Sequence, residues 1–132
     1  MKAFNDAAIA AAAAAWNTTQ VHKINEVGST PVTPYLVLSV TSGAPGNYRA
    51  RFHGSSKHYI VVQAVGKNVS EVAFAVDKAD VAFQDKALVV AGFDCTESGG
   101  EDRTASTVIR DPDAGGLLTC TVLYPFTAYP TT

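Results

Sequence analysis

Between Leu117 and Phe126 the side chains alternate: Leu118, Cys120, Val122, Tyr124 and Phe126 fall on one face, Thr119, Thr121 and Leu123 on the other. A period of two marks a strand, whereas a helix would scatter the same residues around its circumference. The chain must therefore build a sheet with one apolar face, and other apolar groups must cover that face. The same period runs through Tyr35 to Thr41, where Leu36, Leu38 and Val40 oppose Ser39 and Thr41. It returns in Lys57 to Val65, where Ile60, Val62 and Ala64 oppose Tyr59 and Gln63. Leu88 to Phe93 and the shorter Thr107 to Arg110 read as further strands.

Two segments have the helical period needed to cover such a sheet. Residues 3 to 16 are mostly alanine, the strongest helix former, with Phe4, Ile9 and Trp16 expected to anchor the apolar side. Asn17-Thr18-Thr19 ends this helix, Val21 to Ile24 reads as a short edge strand, and Gly28 to Pro34 as a loop. Asn68-Val69-Ser70-Glu71 is a capping box in its Asn variant, with Asn68 at the N-cap and the Glu71 carboxylate expected to reach back to the Asn68 amide. Val72, Val76, Ala79 and Phe83 then form one buried stripe; burying a Val or Phe side chain stabilises by roughly 1.5 to 3 kcal/mol. Phe74 and Val81 lie off that stripe, either half-exposed in a monomer or buried against a neighbouring subunit. The connection from Ser42 to Ser56, with Gly43, Pro45, Gly46 and Gly54, is long for a hairpin and should project as an arm. The expected architecture is α+β: a mostly antiparallel sheet, two helices packed on one face and a long hairpin arm.

At 132 residues, 47% hydrophobic and 17% charged, the chain suits a single domain, 1–132, with a sizeable core. Its net charge of -2 provides no strong field for nucleic acid or an anionic membrane. The run Ala7 to Trp16 is too short and too weakly hydrophobic to span a bilayer and lacks the form of a secretory signal, so a cytoplasmic origin is expected. In a reducing compartment Cys95 and Cys120 are more often buried small hydrophobes than a bridge, and the sequons at Asn17 and Asn68 are chance matches.

The charges fall in blocks. Val27 to Ser70 holds no acidic residue but carries Arg49, Arg51, Lys57 and Lys67. Residues 71 to 113 hold Glu71, Asp77, Asp80, Asp85, Asp94, Glu97, Glu101, Asp102, Asp111 and Asp113 against Lys78, Lys86, Arg103 and Arg110; no charge follows Asp113. These are ordinary solvated faces, or else a basic arm and an acidic face that pair head to tail between copies. The second account makes Arg49, Arg51 and Phe52 on the arm, and Asp111 and Asp113 on the turn, candidate subunit contacts.

No residue set assembles into chemistry. Asp111, Asp113 and Gly116 imitate a calcium loop, but Pro112 intrudes and Val122 stands where the bidentate carboxylate is needed, so a tight turn is the simpler reading. His22, His53 and His58 show no ligand spacing and read as surface or sheet histidines. Ser55-Ser56 near His58 lacks an elbow glycine pattern and a nearby acid, and no phosphate or dinucleotide glycine motif occurs. Tyr48 and Phe52 interleave with Arg49 and Arg51 as single-strand binders do, but an arm that packs on a partner protein suits the acidic balance better. No catalytic, metal or cofactor residue is named, and an enzyme is not expected.

The order of a short first helix, a Pro-led strand at Tyr35 to Thr41, a long hairpin arm, a capped helix and terminal strands around Arg110-Asp111-Pro112-Asp113-Ala114-Gly115 resembles the tail terminator proteins of long-tailed (siphovirus-type) bacteriophages. The resemblance covers most of the chain, and the Tyr124 strand after the acidic turn is its best single piece. It implies a structural virion protein of the tail, assembled in the host cytoplasm. Such a protein forms a homohexameric ring that caps the tail tube, ends tube polymerisation and joins the tail to the head-side connector or stopper protein. The implied partners are copies of itself, the tube protein and the connector, with no membrane, and with DNA only passing through the ring lumen. The alanine-rich first helix departs from that pattern. Alternatives are another head-to-tail joining protein, a tail tube subunit, or a small monomeric enzyme or ligand-binding domain.

Overall fold

The computed structural model describes residues 2–24, 27, 32–42, 56–111 and 116–131. In chain order the elements are α1 (Lys2–Ala15), β1 (Val21–Lys23), β2 (Tyr35–Ser42), β3 (Ser56–Gly66), α2 (Val69–Phe83), β4 (Lys86–Ala87), β5 (Phe93–Cys95), β6 (Glu97–Ser98), a 3-10 turn at Gly100–Asp102, β7 (Thr104–Ala105), β8 (Ile109–Asp111) and β9 (Leu117–Pro130). The main sheet runs β1-β2-β3-β9, and the far side of β9 is paired in turn by β8, β7 and β5. Only the β1–β2 pair is parallel among the described residues, so the α+β architecture with a mostly antiparallel sheet stands.

The three alternating segments register so that their apolar faces join. Leu36, Ala64 and Cys120 form one row across β2, β3 and β9; Leu38, Val62 and Val122 form the next; Val40, Ile60 and Tyr124 the third. All nine are buried. A slip of one residue would turn a whole row to the opposite face, so the pattern specifies the register.

Both helices cover this face: α1 packs on β2, β1 and α2, while α2 packs on β3 and β9. The buried line on α1 is Phe4, Ala8 and Ala12. Ile9 and Trp16, expected as anchors, are only partly buried, because alanines spaced by four seat the helix more closely than larger side chains would. On α2 the buried set is Val72, Ala75, Ala79, Ala82 and Phe83, with the expected Val76 at the margin. Asn68 caps α2 by accepting from the Glu71 amide at 2.9 Å, but the Glu71 carboxylate accepts from the Lys67 amide, also at 2.9 Å, and not from Asn68.

The expected strand Leu88 to Phe93 is broken. Val90 and Phe93 bridge across a reversal at Ala91-Gly92, where Gly92 takes φ 86°, so that Lys86–Ala87 and Phe93–Cys95 join different sheets. The expected Thr107 to Arg110 strand is shifted to Ile109–Asp111. The arm, 43–55, lies outside the described residues.

Polar ties hold α1 at the sheet edge. Asn5 Oδ1 accepts from the Val40 amide at 2.9 Å, beyond the end of β1, so an edge donor that could template another strand is taken. Asp6 accepts from Lys23 of β1 at 2.6 Å and from Lys2 at 2.7 Å, and the two ammonium groups lower its pKa to about 2.

Candidate functional site

The acidic segment from Asp94 to Asp102 is held by β9 on one side and by the end of α2 on another. The Thr96 amide donates to the Thr127 carbonyl at 2.9 Å, the Thr127 amide donates back to Thr96 Oγ1 at 2.9 Å, and the Gly99 amide reaches the Pro125 carbonyl at 3.0 Å. Ser98 is wholly buried, its hydroxyl 2.6 Å from the Phe83 carbonyl and 2.8 Å from the Lys86 carbonyl, so one proton serves two acceptors. Gly99 holds φ 82°, a conformation strained for any residue with a Cβ, and a Cβ there would also press on the Gln84 side chain.

A polar cluster beneath α2 completes the anchor. The Tyr124 hydroxyl donates to Asp80 Oδ1 at 2.6 Å, and Arg103 donates to both Asp80 oxygens at 2.8 and 3.1 Å. The Arg103 guanidinium lies 5.8 Å from the Tyr124 ring centroid. Burial and the neighbouring Asp80 carboxylate push the Tyr124 phenol far above its ordinary value, so it stays a neutral donor. Helix, terminal strand and acidic segment are thereby joined at one point. Sequence reasoning missed this cluster, since residues 80, 103 and 124 share no spacing; the one trace was a tyrosine in an otherwise apolar row.

The segment presents Asp94, Glu97, Glu101 and Asp102 to solvent, none of them ion-paired among the described residues. A groove of about 170 Å³ runs beside it, lined by Lys57, Thr96, Glu97, Gly99, Asp102 and Thr127 among others. Ala128 of β9 pairs with Ser56 on one side and Cys95 on the other, so the acidic segment lies two strands from the point where the arm rejoins the sheet.

The expected contact residues fall in three places. Phe74 and Val81, 48% and 61% exposed, stand on the outer side of α2. Trp16 meets Phe74 edge-on at 5.7 Å, and the Lys78 ammonium lies 5.2 Å from its ring, extending an apolar ridge over the helical layer. The backbone of Asp111 closes β8 opposite Leu117 and so belongs to a strand, not to the turn; the Arg110 guanidinium donates to the Gly116 carbonyl at 2.6 Å beside it. The Asp111 backbone therefore meets β9 at Leu117, whereas the acidic segment lies along Pro125 to Tyr129 of the same strand, roughly 25 to 40 Å away at strand rise. Arg49, Arg51, Phe52 and Asp113, with the side chain of Asp111, lie outside the described residues.

Among the described residues no group of three or more His, Cys, Asp or Glu could hold a metal, and no helix is long and apolar enough to cross a membrane. Cys95 and Cys120 are both free, Cys120 lying 3.3 Å from the Ser106 carbonyl. His22 lies on β1 and His58 is buried in β3, while His53 is outside the described residues.

No protein-family model and no curated protein matches the sequence. The fold is similar to that of a chain in the solved virion of a native gene transfer agent (GTA) particle, with a TM-score of 0.59 and 15% identity. The match covers 89% of this chain and 83% of that one.

Proposed function

We propose that this chain is a structural component of a phage-like virion and, within that class, a tail terminator that forms a ring on the tail tube. The carrying observation is the fold shared with a chain of a gene transfer agent virion over most of both lengths. The order of elements, which resembles the tail terminators, supports the finer reading. So do two surfaces suited to assembly: the apolar ridge around Phe74 and Val81, and a rigid acidic segment with unpaired carboxylates. The acidic segment and the apolar ridge lie on different parts of the subunit, which favours heterologous contacts that close into a ring. The mechanism is steric: a closed ring, a hexamer by the resemblance, occupies the end of the tube, halts its growth and presents a surface to the connector. No catalytic step is involved.

Native mass spectrometry of the purified protein, alone and with tube protein, tests this reading. A discrete ring is expected. Open-ended tubes would make the chain a tube subunit, and a species that stays monomeric at high concentration, low salt and with tube protein present would overturn the proposal. Reversing Arg49 and Arg51 to Glu should weaken assembly while leaving the circular dichroism of the subunit unchanged.

A further inference from the structure

His58 occupies a place where its strand requires an apolar side chain. It precedes Ile60, Val62 and Ala64 on the helix-facing side of β3, and its row across the sheet is Ser42, His58 and Phe126. The residue is 5% exposed. Its ring stacks on Phe4 of α1 at 4.7 Å between centroids and on Phe126 of β9 at 5.4 Å, each with an interplanar angle of 27°. Phe93 of β5 closes on Phe4 at 5.0 Å. Four rings from four elements hold the first turn of α1 to the end of the sheet.

A neutral imidazole suits this stack and an imidazolium does not, because burial removes the water a cation needs. Attraction of a cation to the faces of Phe4 and Phe126 acts in the opposite direction but is the smaller effect at a buried site. Burial holds the His58 pKa below its ordinary 6.5. Of the elements packed around it, α1 brings Lys2 and Asp6, β3 brings Lys57, β5 brings Asp94 and Cys95, and β9 brings Tyr124 and Tyr129, while the near end of β2 brings Thr41 and Ser42 without charge. Asp6 remains ionised down to about 2, so its tie to Lys23 persists in mild acid.

We propose that Phe4, His58 and Phe126 form a pH-sensitive clasp, in which protonation of His58 in mildly acidic solution frees the first turn of α1 from the sheet. The rest of α1 stays seated through Ala8, Ala12 and the Asp6–Lys23 pair. Between the folded value and 6.5 the open form binds up to one proton more than the closed form, so the closed-to-open ratio falls by up to tenfold per pH unit as the pH drops. The fall ends once the pH drops beneath the folded value.

The test uses the full chain between pH 7.5 and 4.5. Proton NMR follows the His58 ring, and amide hydrogen exchange follows residues 3 to 8. Wild type should show His58 titrating below 6.5, with protection of the first turn lost in step. His58→Phe, which keeps an aromatic ring and cannot titrate, should hold that protection through the same range. A His58 midpoint at or above 6.5 in wild type overturns the proposal without recourse to the variant, as does loss of protection that is identical in wild type and His58→Phe.

Discussion

Replacing Tyr124 with Phe deletes one oxygen from the point where α2, β9 and the acidic segment meet. The tyrosine is wholly buried, and its hydroxyl donates to Asp80 at 2.6 Å, while Arg103 contributes two further bonds at 2.8 and 3.1 Å. A hydrogen bond to a charged group is worth about 1.5 to 3 kcal/mol, and Phe fills almost the same volume, so no cavity adds to the loss. The Asp80 side chain is 34% exposed and keeps Arg103, which draws the figure toward the lower part of that range. Tyr124→Phe should therefore cost about 2 kcal/mol in urea denaturation with an unchanged slope, and lower the Tm by roughly 6 to 10 °C. Asp80→Ala should cost about 3 kcal/mol, since it leaves a buried hydroxyl and a guanidinium without their acceptor. The double variant should cost less than the sum by about 1 kcal/mol, as residues sharing one network do. A Tyr124→Phe protein within about 0.5 kcal/mol of wild type, or strictly additive losses, would refute the reasoning and mean that the cluster is solvated rather than structural.

Three further expectations follow from the polar ties. Asn68→Ala removes the acceptor of the Glu71 amide and should cost about 1 kcal/mol, whereas Glu71→Gln, which retains an acceptor for Lys67, should stay within about 0.5, both measured by urea denaturation. Asn5→Ala leaves the Val40 amide bare at the sheet edge; a loss of about 1 to 2 kcal/mol and concentration-dependent light scattering are expected. Asp6 has a lowered pKa, so its contribution is complete above its ordinary value of 3.8 and disappears as pH falls toward 2. Asp6→Asn should flatten the stability profile over that window alone, and a profile unchanged from wild type would contradict the ion pairs with Lys2 and Lys23.

Strand alternation was enough to recover the three long strands and the face each buries, because a half-buried strand must alternate whatever it pairs with. The capped helix was legible for a similar reason: Asn68 acts on a backbone amide three residues away, which is local chemistry. Failures came where distant partners decide. Leu88 to Phe93 has the composition of a strand, yet Gly92 and the separate pairings of β4 and β5 divide it. Glu71 was free to satisfy either of two neighbouring amides, and Lys67 has it.

The candidate surfaces divide along the same line. Phe74 and Val81 were readable as lying off the buried stripe because helical spacing alone carries them there. Charge counting grouped Asp111 with the acidic segment, but the two meet β9 at different places along its length, since sequence proximity through a loop says nothing about where on a strand each segment pairs. Local periodicity and capping thus determined the three long strands with their buried faces and the two helices, which depend on neighbours a few residues away. Their pairing order, the Asp80–Arg103–Tyr124 anchor and the burial of His58 depend on residues far apart in the chain, and were settled only when the sheet closed over the helices.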